Sequence, residues 1–138
     1  MRMVLDASVA LCWCFENQMN SYAEAVEAAV GQGAALAAPA VWPVEVGQAL
    51  ARAERLRQMS AAAVEKWVEI FGSLGVEIEA VGIGGVLGPV LRRARRTGLS
   101  TYDACYLELA GRREWPLATL DEQLRRAARR DGVALFEG

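Results

Sequence analysis

Short apolar runs that read as buried strands alternate along this chain with segments of helical pattern, and that alternation limits the fold more than any other feature. RMVLD (about 2–6), ALAAPA (35–40), VEIEAV (76–81), PLAT (116–119) and VALF (133–136) read as strands. Between them, SYAEAVEAAVG begins with Ser21 and Glu24 in capping-box spacing and stops at Gly31, which predicts a helix. Pro43 suits the first turn of a helix over about 42–57. Ser60 can cap a helix whose apolar positions Val64, Trp67, Val68 and Phe71 recur at i, i+3, i+4 and i+7. Further helices are predicted over about 85–97, closed by Gly98, from Ser100 through Ala110, and over DEQLRRAARRD before Gly132. ASVALCWCF, directly after the first strand, fits either a short helix or a continued apolar run. Strands separated by helices predict an α/β fold in which a central parallel sheet is covered on both faces. With 138 residues and no repeat or linker, one domain over 1–138 is expected.

Composition narrows the chemistry. There is no histidine, which excludes a His general base, a Ser-His-Asp triad and His-ligated zinc, and Lys66 is the only lysine. Cys12, Cys14 and Cys105 make no even disulfide framework and lack metal-site spacing, so they read as small buried hydrophobes. No uncharged stretch reaches the roughly 20 residues that a transmembrane helix needs. Asp6 interrupts what could otherwise pass for a signal peptide, so a cytoplasmic protein with no membrane association is expected. The four tryptophans read as packing residues rather than as base-stacking platforms. Residues 1–88 carry 5 basic and 10 acidic groups, whereas residues 89–138 carry 10 arginines and 7 acids. Arg92, Arg93, Arg95 and Arg96, then Arg125, Arg126, Arg129 and Arg130, could meet phosphates or could be solvated helix faces.

The acids are placed more tellingly than they are numbered. Asp6 ends the first strand, Glu45 and Asp103 fall in the first turns of predicted helices, and Asp121 begins another. Helix capping and the helix dipole are alternatives to a site role at the last three, and Asp103 completes a Ser-x-x-Asp box with Ser100. Asp6 precedes no well-signalled helix. In an open α/β sheet the carboxyl ends of the strands share one edge, so four such acids would gather in one pocket. Their repulsion calls for a cation, and oxygen-only ligands suit Mg²⁺ or Mn²⁺ rather than Zn²⁺. Such an ion typically acts on phosphate esters, lowering the pKa of bound water and neutralising developing charge.

These residues carry a resemblance. VLDASVAL with Asp6 and Ser8, Glu45 in PAVWPVEVGQAL, Asp103 in LSTYDACYLELA, and Thr119-Leu120-Asp121 in PLATLDEQL resemble the ordered motifs of PIN-domain ribonucleases, in particular VapC-like toxins of bacterial toxin–antitoxin pairs. The resemblance spans essentially the whole chain. It implies a Mg²⁺- or Mn²⁺-dependent endoribonuclease, usually a homodimer, held inactive by a cognate antitoxin. It further implies Asp6, Glu45 and Asp103 as metal ligands and catalytic acids, Asp121 as a ligand directly or through water, and Ser8 and Thr119 as supporting hydroxyls. Gln48 stands where many relatives have Asn and could orient Glu45 or a water. RNA would be the substrate, with the arginines Arg92, Arg93, Arg95 and Arg96 holding the strand.

Other readings compete. A non-catalytic RNA- or partner-binding protein of the same fold would keep the acids without the reaction. A nucleotide-binding module is suggested by VEIEAV running into GIGG, but the third glycine is one place late at Gly88 and Pro89 follows it. A phosphate-accepting Asp6 lacks the second acid two residues on, where Ser8 stands, and lacks a suitably placed lysine.

Overall fold

Met3, Val4 and Leu5 have no exposed surface, so the strand that carries them must have neighbours on both edges and cover on both faces. The computed structural model, which covers residues 1–138, provides both. Strand β1 (Arg2–Leu5) pairs on one side with β2 (Ala35–Pro39) and on the other with β4 (Leu117–Ala118), while β3 (Glu77–Glu79) extends the sheet beyond β2. The spatial order is β3-β2-β1-β4, and every pairing is parallel. Register is set by Met3 opposite Leu36 and by Val4 opposite both Ala37 and Leu117.

The connections are helical, as parallel pairing requires. They are α1 (Ala7–Cys14), α2 (Ser21–Gly31), α3 (Val41–Arg55), α4 (Ala61–Ser73), α5 (Ile83–Gly85), α6 (Leu91–Thr97), α7 (Thr101–Arg113) and α8 (Glu122–Asp131). A π-helical turn over Val86–Val90 joins α5 to α6 and contains Pro89, which has no N–H to give to a regular α ladder. Helix α7 lies against β1, β2 and β4, and its fully buried Tyr106 and Leu107 enter the same core as Leu5 and Leu117. Trp42, on α3, meets Phe71 of α4 edge-on with ring centroids 5.8 Å apart, and Trp67 stacks at a tilt on the same Phe71. Trp13 donates from Nε1 to the Ala23 carbonyl, and Trp115 is flanked by the guanidinium groups of Arg2 and Arg113. All four tryptophans therefore serve packing. Cys12 is buried, while Cys14 and Cys105 are only half-buried. No helix is long and apolar enough to cross a membrane.

Several local expectations are corrected. Of the two readings open for ASVALCWCF, the short helix is the one observed, α1 over Ala7–Cys14. VALF is not a strand: it makes one bridge, Leu135 to Leu117. Its partner β4 is only two residues long, and the buried Val133 and Phe136 are three apart, a spacing that alternation along a strand does not give. VEIEAV shortens to Glu77–Glu79 at the sheet edge. Helix α2 is capped by Asn20, whose side chain accepts from the Ala23 amide, and Ser21 is its first helical residue rather than its cap. Asn20→Ala should therefore lower unfolding free energy by about 1 kcal/mol, whereas Ser21→Ala should change it by less than about 0.5 kcal/mol. Urea denaturation of the two variants separates the assignments.

Candidate active site

The sheet order has a switch point. From β1 the chain moves to β2 and then β3 on one side, and it returns to the opposite side of β1 only with β4. In open α/β sheets the crevice at such a reversal, beyond the carboxyl ends of the strands, is where ligands bind. Asp6 follows β1 and Thr119 follows β4, so both flank that crevice. Asp6 stands at the N-cap position of α1, yet its side chain makes no capping hydrogen bond. Ser8 Oγ and Thr119 Oγ1 each donate to its Oδ2 at 2.6 Å. The same hydroxyl oxygens accept from the chain beyond β4, Thr119 Oγ1 from the Asp121 amide at 3.0 Å and Ser8 Oγ from the Leu120 amide at 3.1 Å.

The other acids arrive on helices. Glu45 is in the second turn of α3 rather than the first, because the helix already starts at Val41. Its Oε1 accepts from the Tyr106 hydroxyl at 2.7 Å. Asp103 is in the first turn of α7, where its amide donates to the Ser100 cap. Asp121 caps α8 by accepting from the Leu124 amide through Oδ1, so the capping role holds there as well. Gln48 is exposed and gives Glu45 no hydrogen bond; Tyr106 does that instead. Tyr106 is the residue that sequence reasoning missed. The available signal was its position one helical turn after Asp103, on the same face of α7.

Three of the acids share one electrostatic environment. Burial raises the Asp6 pKa, opposed by the hydroxyls of Ser8 and Thr119 and reinforced by the charge of Asp121. Glu45 is raised by burial, opposed by the Tyr106 hydrogen bond, and raised further by the charges of Asp6 and Asp103. Asp103 is raised by burial and then by Asp121 and Asp6. Each acid thus feels others across the crevice, and no basic side chain is among the influences on any of the three. The donor set is all oxygen, which fits a hard divalent cation. No three acidic groups close on a single point as they stand. A cation here would be held by these acids partly through water, which Mg²⁺ retains readily in its shell.

The four arginines expected to hold a nucleic-acid strand divide. Arg93 and Arg96 share the one carboxylate of Asp131, at 2.9 and 2.8 Å, which holds both side chains in place and offsets one of their two charges. Arg92 and Arg95 are exposed on α6 and make no ion pair. The glycines of GIGG follow the edge strand β3, far in sheet order from the β1–β4 crevice.

Comparison with known proteins agrees with this architecture. The family model of the PIN domain matches residues 3–130. The crystal structure of PAE2754 from Pyrobaculum aerophilum superposes with a TM-score of 0.70 at 25% identity, covering 92% of this chain and 79% of that one. VapBC2 from Rickettsia felis, solved bound to a DNA fragment from its promoter, superposes with a TM-score of 0.67 at 16% identity over 99% of this chain and 98% of that one. No curated protein matches the chain significantly.

A raised carboxylate pKa in the folded state sets the sign of a pH effect. Between the ordinary carboxylate pKa of about 4 and the raised value, the folded state holds more protons than the unfolded one, so stability falls as pH rises through that window. In chelator, the protein should therefore be less stable at neutral pH than these carboxyls alone would allow at pH near 4. Asp6→Asn should raise the urea midpoint at neutral pH, and its advantage should shrink as pH approaches about 4. A variant less stable than the parent at both pH values would contradict this electrostatic account.

Proposed function

Because the chain belongs to the PIN-domain family, we propose that it is a Mg²⁺- or Mn²⁺-dependent endoribonuclease that hydrolyses RNA phosphodiesters and acts as the toxin of a toxin–antitoxin pair. One observation carries the nuclease reading. Asp6 is a carboxylate only 5% exposed, behind the central strand, that caps nothing and is fixed by two hydroxyls at the switch point of the sheet. An acid buried at such expense to stability, with the charges of other acids near it, is readily explained by a cation that binds there.

In this reading Asp6, Glu45 and Asp103 are the metal ligands and catalytic acids, with Asp121 joining directly or through water. The bound ion would supply an activated water and neutralise charge that develops on the phosphate. The protein's own work is positional. Ser8 and Thr119 engage one oxygen of Asp6, which fixes the orientation of its carboxylate. Tyr106 holds Oε1 of Glu45 in the same way from inside the core, where burial raises its own pKa and keeps the phenol protonated as a donor. With no histidine in the chain, no imidazole takes part in proton transfer.

The partner reading rests on the resemblance, on the complex in which the Rickettsia felis relative was solved, and on one surface feature. Val81, Val86 and Tyr102 line an apolar groove of ≈ 240 Å³ between β3 and α7, and the nearby Ile83 and Leu87 are exposed. Tyr102 immediately precedes Asp103, so a protein that covers this groove would sit beside the acids. An antitoxin and a second copy of the chain are both proposed as partners, and cytoplasmic RNA as the target.

The test uses purified, partner-free protein with labelled total RNA and added Mg²⁺ or Mn²⁺. Cleavage should need the metal and fall by about 100-fold or more in Asp6→Asn and Asp103→Asn, a loss of about 3 kcal/mol in transition-state stabilisation. Cleavage that survives both substitutions would refute the assignment. Tyr106→Phe should leave the fold intact and raise the metal concentration needed for cleavage by about 10–100-fold, as loss of a ligand-orienting hydrogen bond does. Expression of the chain alone should arrest growth and expression of Asp6→Asn should not.

A further inference from the structure

The ten arginines of residues 89–138 differ in how much of their charge remains free. Arg93 and Arg96 are held by Asp131, and Arg125 by Glu137. Arg112 pairs with Glu79 and Glu108, and Arg113 with Glu77 and Glu79. Arg129 reaches Glu122 only at 4.0 Å, with both side chains more than half exposed, a separation too loose to neutralise it. Arg92, Arg95, Arg126 and Arg130 have no acidic partner at all.

Two of these free arginines, together with Arg129, line a single cleft. It measures ≈ 560 Å³ and lies between Thr97–Leu99 on one wall and Gln123, Arg126, Arg129 and Arg130 of α8 on the other. Three arginines and no acidic residue line it, and Leu99 is its one hydrophobic lining residue. Such a surface selects a polyanion, and a guanidinium fork matches phosphate oxygens in pairs. Both walls lead to the acids. Leu99 runs into Ser100, the cap of the helix that bears Asp103, and α8 begins at its cap Asp121. From the helical rise, Arg126 and Arg130 lie about 7.5 and about 13.5 Å along α8 beyond Asp121.

We propose that this cleft holds the phosphodiester backbone of RNA flanking the cleaved bond, through Arg126, Arg129 and Arg130. The proposal rests on the nuclease reading of the neighbouring acids. An acidic peptide could also meet three arginines, but its path onward would run into Asp103 and Asp121. An RNA strand instead reaches there the place where a bound cation would take its phosphate. The cleft also changes which arginines matter: Arg93 and Arg96 are tied to Asp131, and α8 adds three arginines to the unpaired Arg92 and Arg95 of α6.

The experiment measures binding of a short fluorescein-labelled oligouridylate by anisotropy over a salt titration, in chelator, with Asp6→Asn as the parent so that no strand is cut. The triple variant Arg126→Gln/Arg129→Gln/Arg130→Gln should bind about tenfold or more weakly, and its salt slope should drop by about 0.7 for each phosphate that is no longer neutralised. All three side chains are exposed, and circular dichroism checks that the fold is kept. Arg52→Gln/Arg55→Gln, exposed at the far end of α3, should bind like the parent. Unchanged affinity and slope in the triple variant overturn the proposal. So does an oligoaspartate that displaces the RNA in the parent with the same dependence on the three arginines, since the cleft would then fit an acidic partner. Metal-dependent cleavage by the chain with its acids intact is read separately. Its absence sinks the nuclease reading, whereas the anisotropy series alone decides the cleft.

Discussion

The two hydroxyl groups that Ser8 and Thr119 place on one oxygen of Asp6 join the exits of β1 and β4, strands that meet only because the chain has already passed through more than a hundred residues. A charged group this deeply buried is costly unless hydrogen-bonded, and short hydrogen bonds to an ionised acceptor are among the stronger ones available. The arrangement reaches further than the carboxylate. Because the same hydroxyl oxygens accept the amides of Leu120 and Asp121, they also fix the turn that starts α8. Strand pairing, the entry to α8 and the orientation of Asp6 are therefore one structural unit. Loss of either hydroxyl would disturb all three.

Much of the fold could be read from local pattern because the elements are locally consistent. The caps at Ser60, Ser100 and Asp121 and the stops at Gly98 and Gly132 lie where the side chains and positive φ angles require them. The strand misreadings share one physical origin, which is that strands are defined by their partners. VALF has a strand's composition but meets a two-residue neighbour, and the sheet ends there. ASVALCWCF offered no periodicity because α1 is packed on several sides, with Ala7, Val9, Ala10 and Cys12 all buried. Asn20 displaced Ser21 as the cap of α2 by a shift of a single residue, because its side-chain oxygen is the one that meets the Ala23 amide.

The acidic residues were legible for a different reason. A carboxylate at the end of an apolar run has few structural uses, so Asp6 stood out without any knowledge of its neighbours. Glu45 and Tyr106 show the limit of that approach. Their hydrogen bond spans 61 positions, and nothing local to either residue announces it. Gln48, one turn from Glu45 and attractive by spacing, is exposed; spacing on a helix tells which face a residue shares but not which neighbour that face meets.

Charge raises the same problem on a larger scale. A count of arginines gives the field of the C-terminal third as one quantity, yet the fold divides it into paired and free groups. Asp131, at the end of α8, takes up Arg93 and Arg96 from α6, and Glu77 and Glu79 at the sheet edge take up Arg112 and Arg113. Burial of Glu108 beside Arg112 removes another acid from the surface balance. Positive potential is left on the outer face of α8, the helix whose first residue is capped by an acid of the crevice. The helix thus presents negative charge at its start and positive charge farther along. A phosphodiester chain laid along it would therefore meet the arginines as its neighbouring phosphates and the acids only where a cation can stand between. That ordering along one helix favours a strand passing through the site over one that merely touches it.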